Sequence, residues 1–276
     1  MISRMSLLNK RHGMTALSLT VFLALTGCKT TEPPLVGSAV DSLMGKRAAT
    51  EERLSTAAAN AIIEGKTAEA LALYEKLYAH DNTGFSSPDV DHQDVALNYA
   101  QLLRKTGKAQ RAITILTPFV EIQRGETRRT DKKRGEMKDK IDPIILNEYA
   151  ASSIELGNFA KAETLLTRVL EDKNASKFHA DAYNLLGIAL DAQGQHREAE
   201  QSFRQSLDGW KGDATSVMNN LAVCLASQGM FDESLTTLRQ ALVMAPDKQE
   251  IAHNIQMVSD LRQSLIPTPR DIKKKK

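Results

Sequence analysis

The stretch Ala182-Tyr183-Asn184-Leu185-Leu186-Gly187, continued by Gly194, Ala199 and Phe203, shows the pattern that organises this chain of 276 residues. The pattern occurs five times, and each copy is built around one glycine. These glycines are Gly65, Gly107, Gly157, Gly194 and Gly229. Seven residues before each stands a small residue: Ala58, Ala100, Ala150, Gly187 and Ala222. Five residues after each stands another: Ala70, Ala112, Ala162, Ala199 and Ser234.

Large apolar residues complete each copy. Nine residues after the glycines come Tyr74, Leu116, Leu166, Phe203 and Leu238. Thirteen residues after them come Tyr78, Val120, Leu170, Leu207 and Leu242. A glycine adopts the left-handed conformation that ends a helix without steric cost. Small residues on both sides of it let two helices approach closely, and large residues four apart form an apolar stripe. The sequence therefore predicts an all-α stack of helical hairpins.

This pattern resembles the tetratricopeptide repeat (TPR). The closest copies run from Ala182 to Phe203 and from Asn220 through Gly229-Met230-Phe231 to Pro246. Their glycine spacings are 37 and 35, whereas the two earlier spacings are 42 and 50. The resemblance covers about residues 50–265. It implies a TPR-type helix–turn–helix solenoid of about five hairpins plus a C-terminal capping helix.

The expected organisation follows from these spacings. It comprises a signal peptide (1–27), a flexible tether (28–48), hairpins 1–2 (49–121), a charged insertion (122–142), hairpins 3–5 (143–246), a capping helix (247–265) and a basic tail (266–276). The insertion contains Arg124 to Lys140, with eight basic and four acidic residues. It is expected either to be a solvated extension or to attract an anionic lipid or acidic partner surface.

The N-terminal segment is typical of an export signal. Basic residues precede an apolar run from Met14 to Thr26, which is shorter than the roughly 20 apolar residues that cross a bilayer. The following Leu25-Thr26-Gly27-Cys28 resembles the lipobox of bacterial lipoproteins. That resemblance implies cleavage before Cys28 and acylation, including palmitate, at Cys28. The alternative is a cysteine that merely follows an ordinary signal peptide.

Composition narrows the classes of function. Residues 1–27 contain three basic and no acidic residues, so their removal changes the formal net charge from +2 to −1. A protein this close to neutrality is not expected to bind nucleic acid. Cys28 and Cys224 are the only cysteines, and acylation of the first leaves no disulfide. Cys224 is expected to be a small buried apolar residue. No catalytic, metal or cofactor site is expected, so the sequence favours a non-enzymatic protein.

A partner-binding surface is expected on the first helix of each hairpin. In TPR proteins, residues ten and three positions before the turn glycine face the concave groove. The first set comprises Leu97, Asn147, Asn184 and Asn219, and the second comprises Arg104, Ile154, Asp191 and Ala226. Of these, we predict that Asn147, Asn184, Asn219, Arg104 and Asp191 bind the partner, since amides can donate to and accept from a peptide backbone. The alternative is hydrogen bonding to neighbouring helices.

The layout of signal, tether and charged repeats also resembles the TadD lipoproteins of the tight adherence (Flp) pilus system. The resemblance implies a pilotin-like assembly factor that binds an outer-membrane secretin or another pilus or secretion component. Lys29 follows Cys28 where an inner-membrane retention signal has aspartate, which favours the periplasmic face of the outer membrane. The alternative is an adaptor for another envelope machine, such as a type IV pilus pilotin or a cell-wall hydrolase scaffold.

Overall fold

The computed structural model describes residues 36–80, 90–125 and 142–265, and it shows eleven α-helices within them. In chain order the helices are α1 (Val36–Ile63), α2 (Thr67–His80), α3 (Val90–Lys105), α4 (Ala109–Gly125), α5 (Pro143–Glu155), α6 (Phe159–Glu171), α7 (His179–Ala192), α8 (His196–Gly209), α9 (Thr215–Ser227), α10 (Phe231–Met244) and α11 (Gln249–Ser264). A short 3-10 helix, Lys173–Phe178, precedes α7. The all-α fold is therefore confirmed.

The first ten helices pair into five hairpins, as the glycine pattern predicts. Each of α1, α3, α5, α7 and α9 packs on the helix that follows it, and each hairpin packs on the next. The turn glycines have φ between 73° and 78°. At Gly194, two backbone bonds close the end of α7: Gln195 N–H donates to the Leu190 carbonyl at 3.0 Å, and Gly194 N–H donates to the Asp191 carbonyl at 2.9 Å. This arrangement satisfies carbonyls that the helix end would leave unpaired.

The small residues of the pattern lie where the paired helices touch. The eight alanines at these positions and Ser234 are fully buried. Ser234 replaces the usual alanine without leaving a buried hydroxyl unpaired, because its Oγ donates to the Ala222 carbonyl of the partner helix at 2.6 Å. At the other end of the stack, the rings of Tyr74 and Tyr99 pack 5.7 Å apart and join the first hairpin to the second. One apolar cluster extends from Ala58 of α1 to Ala189 of α7, and two smaller clusters follow in the last hairpins and under α11.

The C-terminal end of the stack is covered by α11. Its Ile251 and Val258 are buried and pack with Leu235 and Leu238 of α10. The helix runs from Gln249 to Ser264 and is the capping helix that the sequence predicts. Within the described residues, none of the helices is both long and apolar enough to cross a membrane.

Two boundaries differ from the expected organisation. Helix α1 begins at Val36, so residues 36–48 of the expected tether are helical. The reason is local: no proline follows Pro34 until Pro88, and alanine, leucine and methionine favour helix. Helix α4 continues to Gly125 and takes in the start of the expected insertion. The expected signal peptide, Cys28, most of the expected insertion (126–141) and the expected basic tail lie outside the described residues.

Candidate partner-binding groove

The first helices of the hairpins form a row. Helix α3 contacts α5, α5 contacts α7, α7 contacts α9, and α9 contacts α11. Positions ten, six and three before each turn glycine are spaced by four and then three residues, so they share one face of each helix. On α7 these positions are Asn184, Ile188 and Asp191, and on α9 they are Asn219, Val223 and Ala226. This face is the candidate binding groove, as in solenoids whose concave surface binds partners.

The asparagines on this face are engaged between repeats. Asn184 is only 1% exposed, and its Oδ1 accepts from Asn220 Nδ2 of α9 at 3.1 Å. Asn219 Oδ1 in turn accepts from Asn254 Nδ2 of α11 at 2.8 Å. These bonds connect α7 to α9 and α9 to α11. They correspond to the alternative that the sequence left open, and a direct role of these amides in peptide binding stays a prediction.

Asn147 occupies the equivalent position on α5 and has a different neighbour. Its Nδ2 donates to the Phe178 carbonyl at 3.3 Å, at the end of the 3-10 helix. Its Oδ1 is buried and has no hydrogen-bond partner among the described residues. Leu97, which stands at this position on α3, is buried and contributes to the core. The equivalent positions therefore hold the repeats together, so a partner must make most of its contacts elsewhere on the face.

Arg104 lies at the end of α3 and binds two glutamates of α5. Its Nε and Nη2 donate to the two carboxylate oxygens of Glu148 at 2.6 and 3.2 Å, and its Nη1 donates to Glu155 Oε1 at 2.9 Å. The Glu148 side chain is 6% exposed. Burial raises the pKa of Glu148, and the Arg104 guanidinium opposes this shift. Arg104 is thus part of an interhelical ion pair, and the sequence reasoning did not identify Glu148 as its partner.

Asp191, at the end of α7, is bound by the first residue of α8. Its Oδ1 lies 2.8 Å from His196 Nδ1, and Cys224 of α9 lies beside the pair. The Cys224 thiol is fully buried and donates to the His196 carbonyl at 3.1 Å. Burial and the nearby Asp191 carboxylate raise the pKa of Cys224 to about 12. Cys224 is buried as expected in an apolar cluster with Phe203 and Leu221, and its thiol also contacts the polar groups of His196 and Asp191.

Half-buried apolar side chains form the floor of the groove. Ile188 and Val223 stand six residues before their turn glycines, and Ile154 stands three before Gly157. Ile154 of α5, Ile188 of α7 and Val223 of α9 lie on the same face of their helices as the asparagines, nearer to the C-terminal end of each helix. The sequence analysis did not predict that Ile188 and Val223, six residues before their turn glycines, belong to the groove. The helical spacing could have identified them, because positions ten, six and three lie on one stripe.

Charge on this face is mainly acidic. Asp94 of α3 and Asp181 of α7 stand thirteen residues before their turn glycines and are exposed, and Asp191 is half-buried. The guanidinium of Arg104 is already bound by two carboxylates. An apolar floor with acidic surroundings matches a partner segment that presents apolar residues flanked by basic ones.

Comparisons with known proteins agree with this architecture. Three family models, each described as tetratricopeptide repeat, match residues 61–128, 143–211 and 186–248. No curated protein matches the chain.

Solved structures also share the fold. A thermophilic TPR protein of Thermus thermophilus is 17% identical, with a TM-score of 0.54 over 75% of this chain and 98% of that one. The apo form of RapI is 13% identical, with a TM-score of 0.59 over 81% of each chain. A TPR protein of Parabacteroides merdae is 17% identical, with a TM-score of 0.50 over 76% of this chain and 72% of that one.

At these identities the structures establish the fold alone. The three matching family models and the five glycine-centred hairpins show that the described residues form one stack of tetratricopeptide repeats. Such a stack is a scaffold for protein–protein interaction. This chain is a tetratricopeptide-repeat protein.

Proposed function

We propose that this protein is a non-catalytic lipoprotein on the periplasmic face of the outer membrane that binds a component of the Flp (tight adherence) pilus machinery, in the manner of a pilotin for the secretin. The observation that carries partner binding is the half-buried apolar floor of the groove at Ile154, Ile188 and Val223. Helix packing leaves these side chains partly open along a row of contacting helices. Grooves of this kind bind short helical or extended segments.

The acidic surroundings specify the partner segment further. We expect apolar residues to contact the floor, and lysine or arginine residues to lie near the exposed Asp94 and Asp181. The lipobox-like Leu25-Thr26-Gly27-Cys28 supports the anchor, since several acyl chains together hold a protein firmly on a membrane. Binding in the groove combined with the anchor would deliver the partner to the membrane in which it assembles.

The groove is tested by two changes on its floor, Ile188→Glu with Val223→Glu. A buried carboxylate beside an apolar partner segment loses its hydration, so capture of the partner falls by roughly tenfold or more. The lipidated protein is recovered from solubilised native envelope, and co-purified proteins are quantified by mass spectrometry. The matched control is Val243→Glu with Met244→Glu, because these side chains are 82% and 57% exposed on α10, outside the row of first helices.

The control variant retains its captured proteins, and circular dichroism shows the same helix content for both variants. Equal capture by the floor variant and the parent protein contradicts the proposed groove. An equal loss in both variants contradicts it as well, because charge alone would then explain the effect.

The anchor is tested by Cys28→Ser. The hydroxyl cannot form the thioether, so we expect the protein to fold but to be lost from the outer-membrane fraction. Membrane fractionation with immunoblotting measures this location, and circular dichroism checks the fold. If the variant still fractionates with the outer membrane, the proposed acylation at Cys28 is wrong.

A further inference from the structure

Three metal-ligating side chains from consecutive helices converge beside the groove. They are Asp191 at the end of α7, His196 at the start of α8 and Cys224 within α9, and their potential ligand atoms all lie within 4.8 Å of one another. Cys224 is fully buried, whereas the side chains of His196 and Asp191 are 36% and 24% exposed. An ion from solvent can therefore reach a site whose deepest ligand is shielded.

We propose that Asp191, His196 and Cys224 bind a first-row divalent transition-metal ion, with Zn²⁺ as the best match. Carboxylate, imidazole and thiolate are the three side-chain ligands of protein-bound zinc. Mg²⁺ and Ca²⁺ prefer oxygen ligands throughout, so a set with nitrogen and sulfur disfavours them. Three protein ligands leave one tetrahedral position for water or for a donor atom of the bound partner.

The geometry needs only side-chain adjustment. Zinc bonds of about 2.0–2.3 Å place tetrahedral ligand atoms roughly 3.3–3.8 Å apart. Separations of up to 4.8 Å must therefore shrink by as much as about 1–1.5 Å, and the 2.8 Å between Asp191 Oδ1 and His196 Nδ1 must lengthen by about 0.5–1 Å. Asp191 and His196 lie at helix ends beside a turn, where small rotations of their side chains can produce these changes.

Charge also balances at this site. Without metal the buried Cys224 thiol carries its proton, which it donates to the His196 carbonyl at 3.1 Å. Binding of a divalent cation replaces that proton, which is released to solvent, and forms a metal–sulfur bond. The Cys224 thiolate and the Asp191 carboxylate then carry two negative charges against the two positive charges of the ion. The complex is neutral, which limits the cost of placing it in a half-buried position.

The surroundings contain further groups that suit a metal centre. Gln228 Nε2 lies 3.8 Å from Cys224 Sγ and donates to Glu200 Oε2 at 2.9 Å. Glu200 follows His196 by one helical turn, so it belongs to the same side of α8. Such outer groups orient ligands and adjust their affinity for the metal. The bound ion would connect α7, α8 and α9, and thus join the fourth hairpin to the fifth next to Val223.

The test uses the full chain carrying Cys28→Ser, which leaves Cys224 as the only cysteine. Co²⁺ is titrated first, because a cobalt–thiolate bond produces a charge-transfer absorption that oxygen and nitrogen ligands do not. We expect one Co²⁺ per chain with this absorption, its displacement by Zn²⁺, and a rise in the thermal midpoint with Zn²⁺. Absence of stoichiometric binding overturns the proposal.

Variants assign the ligands. Cys224→Ser removes the charge-transfer absorption, and Asp191→Asn or His196→Gln weakens Zn²⁺ binding by roughly tenfold or more. The matched control is His253→Gln, because His253 is an exposed histidine on α11, away from the cluster, and its loss leaves binding unchanged. If circular dichroism shows that Cys224→Ser does not fold, Zn²⁺ binding by the His196→Gln variant tests the proposal instead, because the His196 side chain is 36% exposed. Equal affinity in the His196 and His253 variants overturns the proposal.

Discussion

Gly187 shows how a single residue sets the distance between two helices. A Cβ atom at this position would lie 2.6 Å from Phe203 Cε1 and 2.7 Å from its Cδ1. Phe203 is 1% exposed, so its ring has little room to move. The other four repeats have alanine at this position, whereas this repeat has glycine. The absent side chain makes room for the ring, and α7 and α8 pack closely as a result.

We therefore predict that Gly187→Ala destabilises the protein. For a Cβ only 2.6 Å from a buried ring we expect an overpacking cost of about 2–3 kcal/mol, of which the better helix propensity of alanine recovers up to about 1 kcal/mol. Urea denaturation should show a net loss of about 1–2 kcal/mol in the free energy of unfolding. The matched control is Gly209→Ala, where a Cβ would meet Ala180 Cβ at an ordinary 3.4 Å and stability should change by less than about 0.5 kcal/mol. Equal effects of the two changes would contradict the packing argument.

Helices α3 and α5 are joined by a buried ion pair that crosses from the second hairpin to the third. Arg104 holds Glu148 with two hydrogen bonds and Glu155 with one. The two glutamates differ in burial, since the side chain of Glu148 is 6% exposed and that of Glu155 is 39% exposed. Loss of the arginine would leave the Glu148 carboxylate buried without a counter-charge, whereas water can hydrate Glu155.

We predict that Arg104→Met lowers the free energy of unfolding by about 3–5 kcal/mol, because an uncompensated buried charge remains. The double variant Arg104→Met with Glu148→Leu should recover most of this loss, since apolar residues of similar size often replace a buried pair without cost. Glu155→Gln is the matched control and should cost less than about 1 kcal/mol. Denaturation of all variants measures the coupling, and a double variant as unstable as the single one would refute this assignment.

The repeated elements could be predicted because each depends on local chemistry. A glycine in the left-handed conformation ends the first helix, and small residues at fixed offsets mark where the second one packs. The start of α1 was missed because the Pro33-Pro34 pair suggested an extended tether beyond Val36. The 3-10 helix Lys173–Phe178 was also missed, because it lies in the residues that widen the spacing to 37 and has no repeated counterpart to reveal it.

The candidate site was predicted less completely, because side-chain partners depend on contacts between repeats. The sequence assigned Asn184 to the proposed binding face but did not show that Asn220 Nδ2 donates a hydrogen bond to its Oδ1. The cluster around Cys224 was missed because its members are far apart in sequence. One signal was available in the sequence. Asp191 and Cys224 are 33 residues apart, which is close to the length of one repeat. Residues about one repeat apart lie side by side in adjacent hairpins, so these two could have been expected to be neighbours.

The long spacing between the second and third hairpins does not interrupt the stack. Helix α4 packs on α5, and α3 contacts α5 through the pair of Arg104 and Glu148. The row of first helices is therefore continuous from α3 to α11. A partner segment of about twenty helical residues spans roughly 30 Å, and a surface built from several consecutive repeats can accommodate it.

We propose that this continuous surface binds a component of the Flp pilus machinery. The most direct measurement is affinity purification of the lipidated protein from its native membrane, with identification of the co-purified proteins by mass spectrometry. We predict recovery of the secretin or another Flp pilus component, with loss of that component in the Ile188→Glu, Val223→Glu variant. Recovery of cell-wall hydrolases or type IV pilus proteins without Flp components would contradict the claim and assign the repeats to a different envelope machine.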